Sequence, residues 1–305
     1  MNPPLPADLI VLERGWLSAN NVVCLEGDTA SVIDSGYVSH AEQTVALVGH
    51  ALAGRRLRQV VNTHIHSDHI GGNAALQAVF DCALVVPDGA AAAVAEWNEE
   101  ALLLSPLRQQ GARFQPSATL AAGSTLTLGE REWQVLGVPG HDNDALAFFD
   151  PVGGILIAGD ALWENGFGLI FPTLLGSEDG LTATRETLEM LGRLPLRLVI
   201  PGHGRPFADA TGAIERGLQR LTRIENDGEG LAWHGIRTIA SFALLEKQRL
   251  PADEFHALIA TLPFTTTVNQ RFLQRTPDEI ARRCVDDLLR SGAIRLTHGW
   301  IEAAH

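Results

Sequence analysis

Four short apolar segments of this chain end directly in polar residues that can bind metal. RQVVN (58–62) is followed by THIHSDH, and the segments ending in GVPGH, IAGD and IPGH place His141, Asp160 and His203 directly after a strand. Side chains at the ends of neighbouring strands converge at one sheet edge, where loops on a rigid scaffold carry chemistry. The pattern predicts a mixed α/β fold with one polar site at the strand ends.

The densest part of this pattern is THIHSDHIGG (63–72), which holds three of the chain's 11 histidines. His64 and His66 alternate on an extended segment, so both rings can point the same way and bind one ion through neutral nitrogens. Asp68 and His69 follow at the turn into the next helix, which suits a second ion. Two ions roughly 3.5–4 Å apart usually need a bridging carboxylate and further nitrogen ligands from elsewhere in the chain.

Residues 20 to about 206 alternate short β-branched or apolar runs with longer amphipathic or Ala-rich runs, which indicates layers of strands and helices. NVVCLEGDTASVIDSG, TLTLGEREWQVLGV and ALAFFDPVGGILIAGD are typical of hairpins. We expect SEDGLTATRETLEML to form a helix capped by Ser177.

After residue 206 the pattern becomes mainly helical. We expect helices at 209–225, 235–248, 252–261 and 276–290, and a small β-wing in LRSGAIRLTHGWIEA. The Gly-rich, polar stretch NDGEG (226–230) is the natural boundary. The prediction is a catalytic domain of residues 1–228 and a C-terminal, helical, winged-helix-like domain of residues 229–305.

Composition indicates the cellular compartment of the protein and whether it associates with a membrane. No apolar run approaches the roughly 20 residues that span a bilayer, and MNPPLPADLIVLERGW lacks the pattern of a secretory signal. Cys24, Cys82 and Cys284 are scattered and odd in number, which fits a reducing compartment. We therefore expect a cytoplasmic protein with no membrane partner.

The formal net charge of −13 disfavours nucleic acid as a partner. All the excess acid lies in residues 1–228, while residues 229–305 hold equal numbers of acidic and basic side chains. Such a field repels a polyanion unless a basic patch overrides it, and the sequence has no basic run. A small-molecule substrate is the expectation.

The order HxHxDH, His, Asp, His resembles the metallo-β-lactamase superfamily over about residues 8–206. The resemblance implies a four-layer αβ/βα sandwich and two divalent metal ions, zinc first, with iron or manganese as alternatives. It implies that one ion is held by His64, His66 and His141, the other by Asp68, His69 and His203, and that Asp160 bridges them. Asp34 in VIDSG matches the family's strand-end aspartate, which orients the metal loop.

The resemblance also implies an activity. Asp160 stands where zinc β-lactamases commonly have a cysteine, which favours the glyoxalase II-like, lactonase-like and nuclease-like (β-lactamase-like protein 2-like) branches. We expect a dinuclear metal-dependent hydrolase in which a metal-bridging hydroxide, oriented by Asp68 as the catalytic residue, cleaves an ester-like bond. A thioester or lactone of a small, fairly apolar acid is the expected substrate.

Three other functions stay open at this point. Mononuclear iron persulfide dioxygenases have the same ligand residues. The core with a helical, wing-like tail also resembles the endoribonucleases and phosphodiesterases of the β-lactamase-like protein 2 family. A non-catalytic binding module is the third. The C-terminal unit could cap the cleft or mediate homodimerisation.

Four other sequence features are less specific than the metal-binding motif. HDND (141–144) is expected to be a solvated loop or a helix cap, although Asp142 or Asp144 in the cleft would disfavour anionic substrates. LWENGFGLIFPTLLG (162–176) is expected to form an apolar wall of the substrate pocket. Other histidines, His234 among them, are assigned to the surface or to packing. In the C-terminal part a solvated helix face explains the candidate anion contacts Arg271, Arg275, Arg282 and Arg283.

Overall fold

The structure, a computed structural model, describes residues 5–177 and 179–304. Its first sheet has six strands in sequential order, the first three antiparallel and the last four parallel. The strands are β1 (Leu9–Leu12), β2 (Asn21–Glu26), β3 (Thr29–Ile33), β4 (Arg56–Val61), β5 (Ala83–Pro87) and β6 (Ala118–Leu120). Their β-branched and apolar residues suit a sheet that is covered on both faces.

The second sheet has five strands in the order β11-β10-β9-β8-β7. They are β7 (Thr125–Leu128), β8 (Arg131–Gly137), β9 (Leu146–Asp150), β10 (Ile155–Gly159) and β11 (Leu198–Pro201). β10 and β11 are parallel, and the remaining neighbours are antiparallel. β8 therefore runs in the same direction as β10 and β11, so the carboxyl ends of these three strands share one edge.

Helices cover the outer face of each sheet. The chain segments between the strands of the first sheet contain α1 (Ala41–Leu52), α2 (Ser67–Ile70), α3 (Asn73–Phe80), α4 (Ala91–Glu96) and α5 (Leu104–Leu107). In the second half, α6 (Phe171–Leu175) and α7 (Gly180–Gly192) lie between β10 and β11, and α8 (Ala210–Asn226) follows β11. Val48 and Leu76 pack on one sheet, and Leu188 and Leu221 on the other. Between the sheets lies a shared apolar core that contains Trp133 and Phe148. The predicted four-layer αβ/βα sandwich is confirmed.

The hairpins that the sequence predicts are present as β2–β3, β7–β8 and β9–β10. One helix start differs from the prediction. α7 begins at Gly180 and is preceded by Asp179, whose backbone N–H donates to the Ser177 hydroxyl. Ser177 therefore supports the turn before the helix and does not cap it.

The C-terminal part consists of α9 (Gly228–Lys247), α10 (Ala252–Thr261), α11 (Pro263–Val268), a π-helical turn (Asn269–Leu273) and α12 (Pro277–Ser291). A three-stranded sheet of β12 (Arg249–Pro251), β14 (Trp300–Ala303) and β13 (Ile294–Thr297) forms the wing. The α12 start carries a capping box between Thr276 and Glu279. A helical unit with a wing is as the sequence predicts.

Residues 226–230 do not form an extended linker between α8 and α9. α8 ends at Asn226 and α9 begins at Gly228, so Asp227 alone separates them. The Asp227 carboxylate accepts a hydrogen bond from the Gly230 N–H and caps α9. The glycines that suggest a flexible linker thus lie inside the first turn of a helix.

The C-terminal helices pack on the sandwich through one apolar core. Leu107 in α5 and Phe171 and Leu174 in α6 share this core with residues of α9–α12. Among the residues that the structure describes, no helix is long and apolar enough to cross a bilayer.

Candidate metal centre and its cavity

The residues that the sequence predicts as ligands lie together at one edge of the two sheets. His64 and His66 follow β4, and Asp68 and His69 lie in α2, the single helical turn that comes next. His141, Asp160 and His203 follow β8, β10 and β11. The last three residues lie close together because the carboxyl ends of β8, β10 and β11 are at the same edge of the second sheet.

The donor atoms form three close groups. Within each group the ligand atoms lie within 4.8 Å of one another. The groups are His64, His66 and His141; His64, His69 and Asp160; and Asp68, His69 and His203. The first and third groups form the two ends of the cluster, and Asp160 lies between them. Its Oδ2 is 3.5 Å from His141 Nε2 and 3.8 Å from His203 Nε2.

Hydrogen bonds from outside the cluster fix the direction of two rings. Asp34 accepts a hydrogen bond from His69 Nδ1 at 2.7 Å, and its two oxygens also accept from the N–H and hydroxyl of Thr63. His141 Nδ1 donates to the Leu169 carbonyl at 2.6 Å. In both rings Nε2 is therefore directed into the cluster. Asp34 takes the orienting position that the sequence indicates.

Two glycines allow this close packing. A Cβ at Gly202 would lie 2.2 Å from Asp160 Oδ1, and a Cβ at Gly168 would lie 2.4 Å from His141 Nδ1. Any larger residue at either position would push a donor atom away. The IPGH segment therefore needs glycine before His203 for space.

The cluster fits a metal ion on the chemistry of its atoms. His64 Nε2 and His69 Nε2 are buried and have no hydrogen-bond partner among the described residues. Buried polar atoms normally have hydrogen-bond partners. Two buried ring nitrogens without one can each donate a lone pair to a metal ion. Nitrogen and carboxylate donors at this spacing are the ligands that zinc and similar divalent ions take.

The electrostatics of the cluster favour neutral histidines at one end. Burial lowers the pKa of His66 and of His141 to about 4. Burial and the neighbouring His69 place the pKa of His64 well below its ordinary value. A neutral imidazole has the free lone pair that a metal ion requires.

The other end of the cluster is rich in negative charge. Burial disfavours a charged His69, but Asp34, Asp160 and Asp68 raise the pKa of this histidine well above its ordinary value. Burial also opposes ionisation of Asp160, and His203 and His69 outweigh it, so the Asp160 pKa is well below its ordinary value. The carboxylates therefore stabilise positive charge here, which a divalent ion would supply.

Asp142 lies beside the cluster. Its Oδ2 is 3.7 Å from His66 Nε2, and burial raises its pKa. Neither Asp142 nor Asp144 is among the described residues that line the cavity over the cluster. Asp142 is thus partly buried against His66, whereas Asn143 and Asp144 are exposed, in line with the predicted solvated loop.

A cavity of about 1140 Å³ opens from the cluster. One side is the cluster edge with two tryptophans, and the other side is the C-terminal part of the chain. The cluster side comprises Trp16, His66, Asp68, His141, Asp160, Trp163 and His203, and the far side includes Arg220, Leu231, His234, Phe242, Leu245, Ile294 and Ala304. Most of the far wall is apolar.

The sequence predicts the near wall in part. Trp163, Phe167 and Phe171 line the cavity as expected for residues 162–176, whereas Ile170 is buried in the core between the second sheet and its helices. Trp16 stacks on His203 with ring centres 4.8 Å apart and is 60% exposed. No motif in the sequence points to Trp16, which belongs to a loop before β2.

The charged residues of the cavity are not those that the sequence indicates. None of Arg271, Arg275, Arg282 and Arg283 lies among the described residues of its wall. Arg283 instead covers the ring of Trp233, and Arg282 pairs with Asp278. Arg220 and His234 line the cavity, and His234 packs against Arg220 through its Nε2.

Comparison with known proteins places the chain in a family. The sequence profile described as "Metallo-beta-lactamase superfamily" matches residues 14–203. The chain belongs to the metallo-β-lactamase superfamily. A metallo-beta-lactamase family protein of Thermus thermophilus superposes with a TM-score of 0.57 at 19% identity, covering 97% of this chain and 98% of that one. At this identity the likeness shows the metallo-β-lactamase fold alone.

Two curated relatives are named as hydrolases. A hydroxyacylglutathione hydrolase of Thermosynechococcus vestitus is 32% identical over 167 residues, which cover 55% of each chain. An acyl-coenzyme A thioesterase of Gallus gallus is 26% identical over 211 residues, which cover 63% of this chain and 72% of the relative. The chain thus matches about half the length of the first of these metallo-β-lactamase superfamily relatives.

Proposed function

We propose that this protein is a dinuclear metal-dependent hydrolase that cleaves thioesters of fairly apolar acids. The position of Asp160 carries the proposal, because its carboxylate lies 3.5 Å from His141 on one side and 3.8 Å from His203 on the other. A carboxylate between two sets of nitrogen donors is the arrangement that a bridged pair of ions requires.

The seven side chains divide between two ions. His64, His66 and His141 would hold the first, Asp68, His69 and His203 would hold the second, and Asp160 would contact both. When bound, such ions supply a water that ionises near neutral pH and a Lewis acid for the carbonyl oxygen. Zinc is the proposed metal, since imidazole and carboxylate ligands suit it.

Asp68 is the proposed catalytic residue. Its Oδ2 contacts His203 Nε2 at 3.0 Å, and the residue lines the cavity. Burial opposes ionisation, but His69 and His203 keep the Asp68 pKa below its ordinary value, so the group is an anion that can accept a hydrogen bond from the attacking water. Trp163 Nε1 donates to Asp160 Oδ1 at 3.2 Å and holds that carboxylate in place.

The chemistry of the leaving group favours a thioester over an ester or an amide as the substrate. A thiol has a pKa near 8.5, so a thiolate departs with little help from a general acid, unlike an amine or an alcohol. The names of the two hydrolase relatives both describe acyl transfer from a thiol carrier to water. The apolar far wall of the cavity suits the acyl chain.

We also propose that residues 1–228 form the catalytic domain and residues 229–305 complete the substrate cavity. Leu231, Phe242 and Ile294 of the second part line the same cavity as Asp68. Cytoplasmic localisation and homodimerisation stay predictions.

The direct test is metal analysis followed by a substrate panel. Protein expressed with zinc, iron and manganese supplied together should contain two zinc ions per chain by elemental analysis. The same protein should release thiol from acyl thioesters faster than it opens lactones or cleaves phosphodiesters, and Asp160→Asn should lose the second ion and the activity. A single iron per chain, or preferential phosphodiester cleavage, would contradict the proposal.

A further inference from the structure

Arg220 lies in the wall of the cavity and is held at a fixed position. One Nη donates to the Phe167 carbonyl at 2.8 Å, and the other donates to His234 Nε2 at 2.9 Å. Its guanidinium also lies over the Phe167 ring, 4.8 Å from the ring centre. Two of the five N–H donors of the group are therefore used, and the planar fork cannot turn away.

Among the residues that the structure describes, the charge of Arg220 has no negative partner. A carbonyl and a neutral imidazole are its acceptors, and no carboxylate within residues 5–177 and 179–304 forms an ion pair with it. Burial lowers the pKa of Arg220, and the nearby Arg223 lowers it further. A partly buried cation without a counter-charge costs free energy, which an anionic ligand would recover.

Other charges along the cavity do not cancel this one. Arg223 also lines it and makes no ion pair within the described ranges. Arg237 is compensated by Asp287 at 3.0 Å. Asp227 lines the cavity too and accepts the Gly230 N–H at the start of α9, and its single negative charge offsets only one of the two arginines Arg220 and Arg223. The helix α8 side of the cavity thus has net positive charge, although the chain as a whole is acidic.

The distance from Arg220 to the metal centre is set by a short segment. The Phe167 carbonyl binds Arg220, and the Leu169 carbonyl binds Nδ1 of the ligand His141. Two residues of chain span at most about 7 Å. An anion on Arg220 would therefore lie within the length of one small molecule from the carbonyl that is cleaved.

We propose that Arg220 binds a carboxylate or phosphate of the substrate and so selects thioesters that carry a negative charge close to the reacting carbonyl. The proposal rests on the proposed thioesterase function and names the substrate class of that site. His234 positions Arg220, because its Nε2 accepts one of the guanidinium N–H groups. The anion could belong to the thiol part or to the acyl part of the substrate, since both share the same chemistry.

Three synthetic thioesters distinguish these sources. S-hexanoyl-N-acetylcysteamine is neutral, S-hexanoyl-mercaptopropionate carries its charge on the thiol, and S-adipoyl-N-acetylcysteamine carries it on the acyl group. The zinc-loaded enzyme should prefer one of the charged compounds by about tenfold or more in kcat/KM. Which one is preferred identifies the source of the anion.

The decisive variant is Arg220→Met, which keeps the length of the side chain and removes its charge. For the preferred charged thioester we expect kcat/KM to fall about 10- to 150-fold, mainly through KM, as for a lost hydrogen bond to a charged group. The neutral thioester should lose at least tenfold less. Arg220→Lys, which keeps the charge without the fork, should lie between the two and covers the case in which the methionine variant folds poorly.

Arg216→Met is the matched control. Arg216 lies one turn earlier on α8, bonds the Glu164 carbonyl and Asp209, and does not line the cavity. Arg216→Met removes the same net charge as Arg220→Met and should leave the ratio of kcat/KM for the charged and the neutral thioester unchanged. Equal losses for all three thioesters in Arg220→Met, or a wild-type preference for the neutral compound, would overturn the proposal.

A binding measurement separates this inference from the proposed function. Two thioethers that cannot be hydrolysed serve as probes: S-hexyl-mercaptopropionate carries its charge on the thiol part, and 6-(2-acetamidoethylthio)hexanoate carries it on the acyl part. By calorimetry one of them should bind the wild-type protein at least tenfold more tightly than Arg220→Met, even if no thioester is cleaved, in which case only the thioesterase function fails. Equal affinities of each thioether for the two proteins would reject the anion site whatever the activity.

Discussion

Asp34 accepts a 2.7 Å hydrogen bond from Nδ1 of His69, and this contact decides which nitrogen of the ring faces the candidate metal centre. Asp34 ends β3 in a left-handed backbone conformation, with φ of 57°. Its second oxygen holds the backbone N–H of Thr63 at 2.9 Å. One carboxylate thus fixes both the start of the ligand loop and the ring at its end.

Asp34→Asn tests this role with little change of shape, since asparagine tolerates the left-handed conformation. The amide cannot balance the positive charge at His69, and it places a donor where an acceptor is needed. We expect zinc affinity at the weaker of the two sites to fall about 10- to 100-fold. Competition with a chromogenic chelator measures it, and unchanged affinity at both sites would contradict the role.

Gly168→Ala tests whether space at the cluster is limiting. The new Cβ would lie 2.4 Å from His141 Nδ1, so the ring must move and lose its bond to the Leu169 carbonyl. We expect bound zinc to fall below two ions per chain and kcat/KM to drop by about 100-fold, the upper range for a lost orienting contact. Elemental analysis and thioester turnover are the readouts.

Gly49→Ala is the control for that substitution. Gly49 lies within α1, and an added Cβ would make an ordinary contact of 3.6 Å with Phe80. Because alanine favours a helix more than glycine does, this variant should be more stable by about 0.5–1 kcal/mol and keep its metal. Loss of zinc from both variants would mean that the effect at Gly168 is not local.

The candidate ligand residues can be predicted from the sequence because each lies in the loop or single helical turn that follows a strand. Strand ends are set locally by apolar runs, and parallel or antiparallel pairing then brings the ends together. His141, Asp160 and His203 can be assigned in this way although they are far apart in the chain. The alternation of elements predicts layers of strands and helices, and the four-layer arrangement is what the resemblance to the metallo-β-lactamase superfamily implies.

The far wall of the cavity could not be predicted, because it depends on how helices far apart in sequence pack. Arg220 in α8 and His234 in α9 meet only because the chain turns at Asp227. The NDGEG stretch also has the composition of a linker, since glycine lowers helix propensity. The Asp227 cap and the apolar contacts of α9 with α6 outweigh that preference.

His234 predicts a specific dependence of stability on pH. Burial, with Arg220 and Arg237 nearby, lowers its pKa to about 4, against an ordinary value of 6.5. Between these values the unfolded chain binds a proton that the folded chain refuses, so stability falls as pH drops from 6.5 to 4. Above pH 6.5 the group is neutral in both states and contributes no pH dependence.

His234→Gln should reduce this loss. Glutamine can accept the Arg220 hydrogen bond but does not titrate. Between pH 7 and pH 4 the variant should lose up to about 3 kcal/mol less free energy of unfolding than the wild type. Urea unfolding of both proteins at several pH values measures the difference, in which the shared titration of the metal cluster cancels. Parallel curves for the two proteins would contradict the assignment.

The three cysteines should be unreactive in the folded protein. Burial raises the pKa of the Cys24 and Cys284 thiols to about 12 and that of Cys82 to about 11. Since the thiolate is the reactive form, a disulfide reagent at pH 8 should label none of them until denaturant is added, and then all three. Mass spectrometry of samples taken during unfolding counts the labels. Rapid labelling of Cys82, the most exposed of the three at 5%, would show that its surroundings open in the native state.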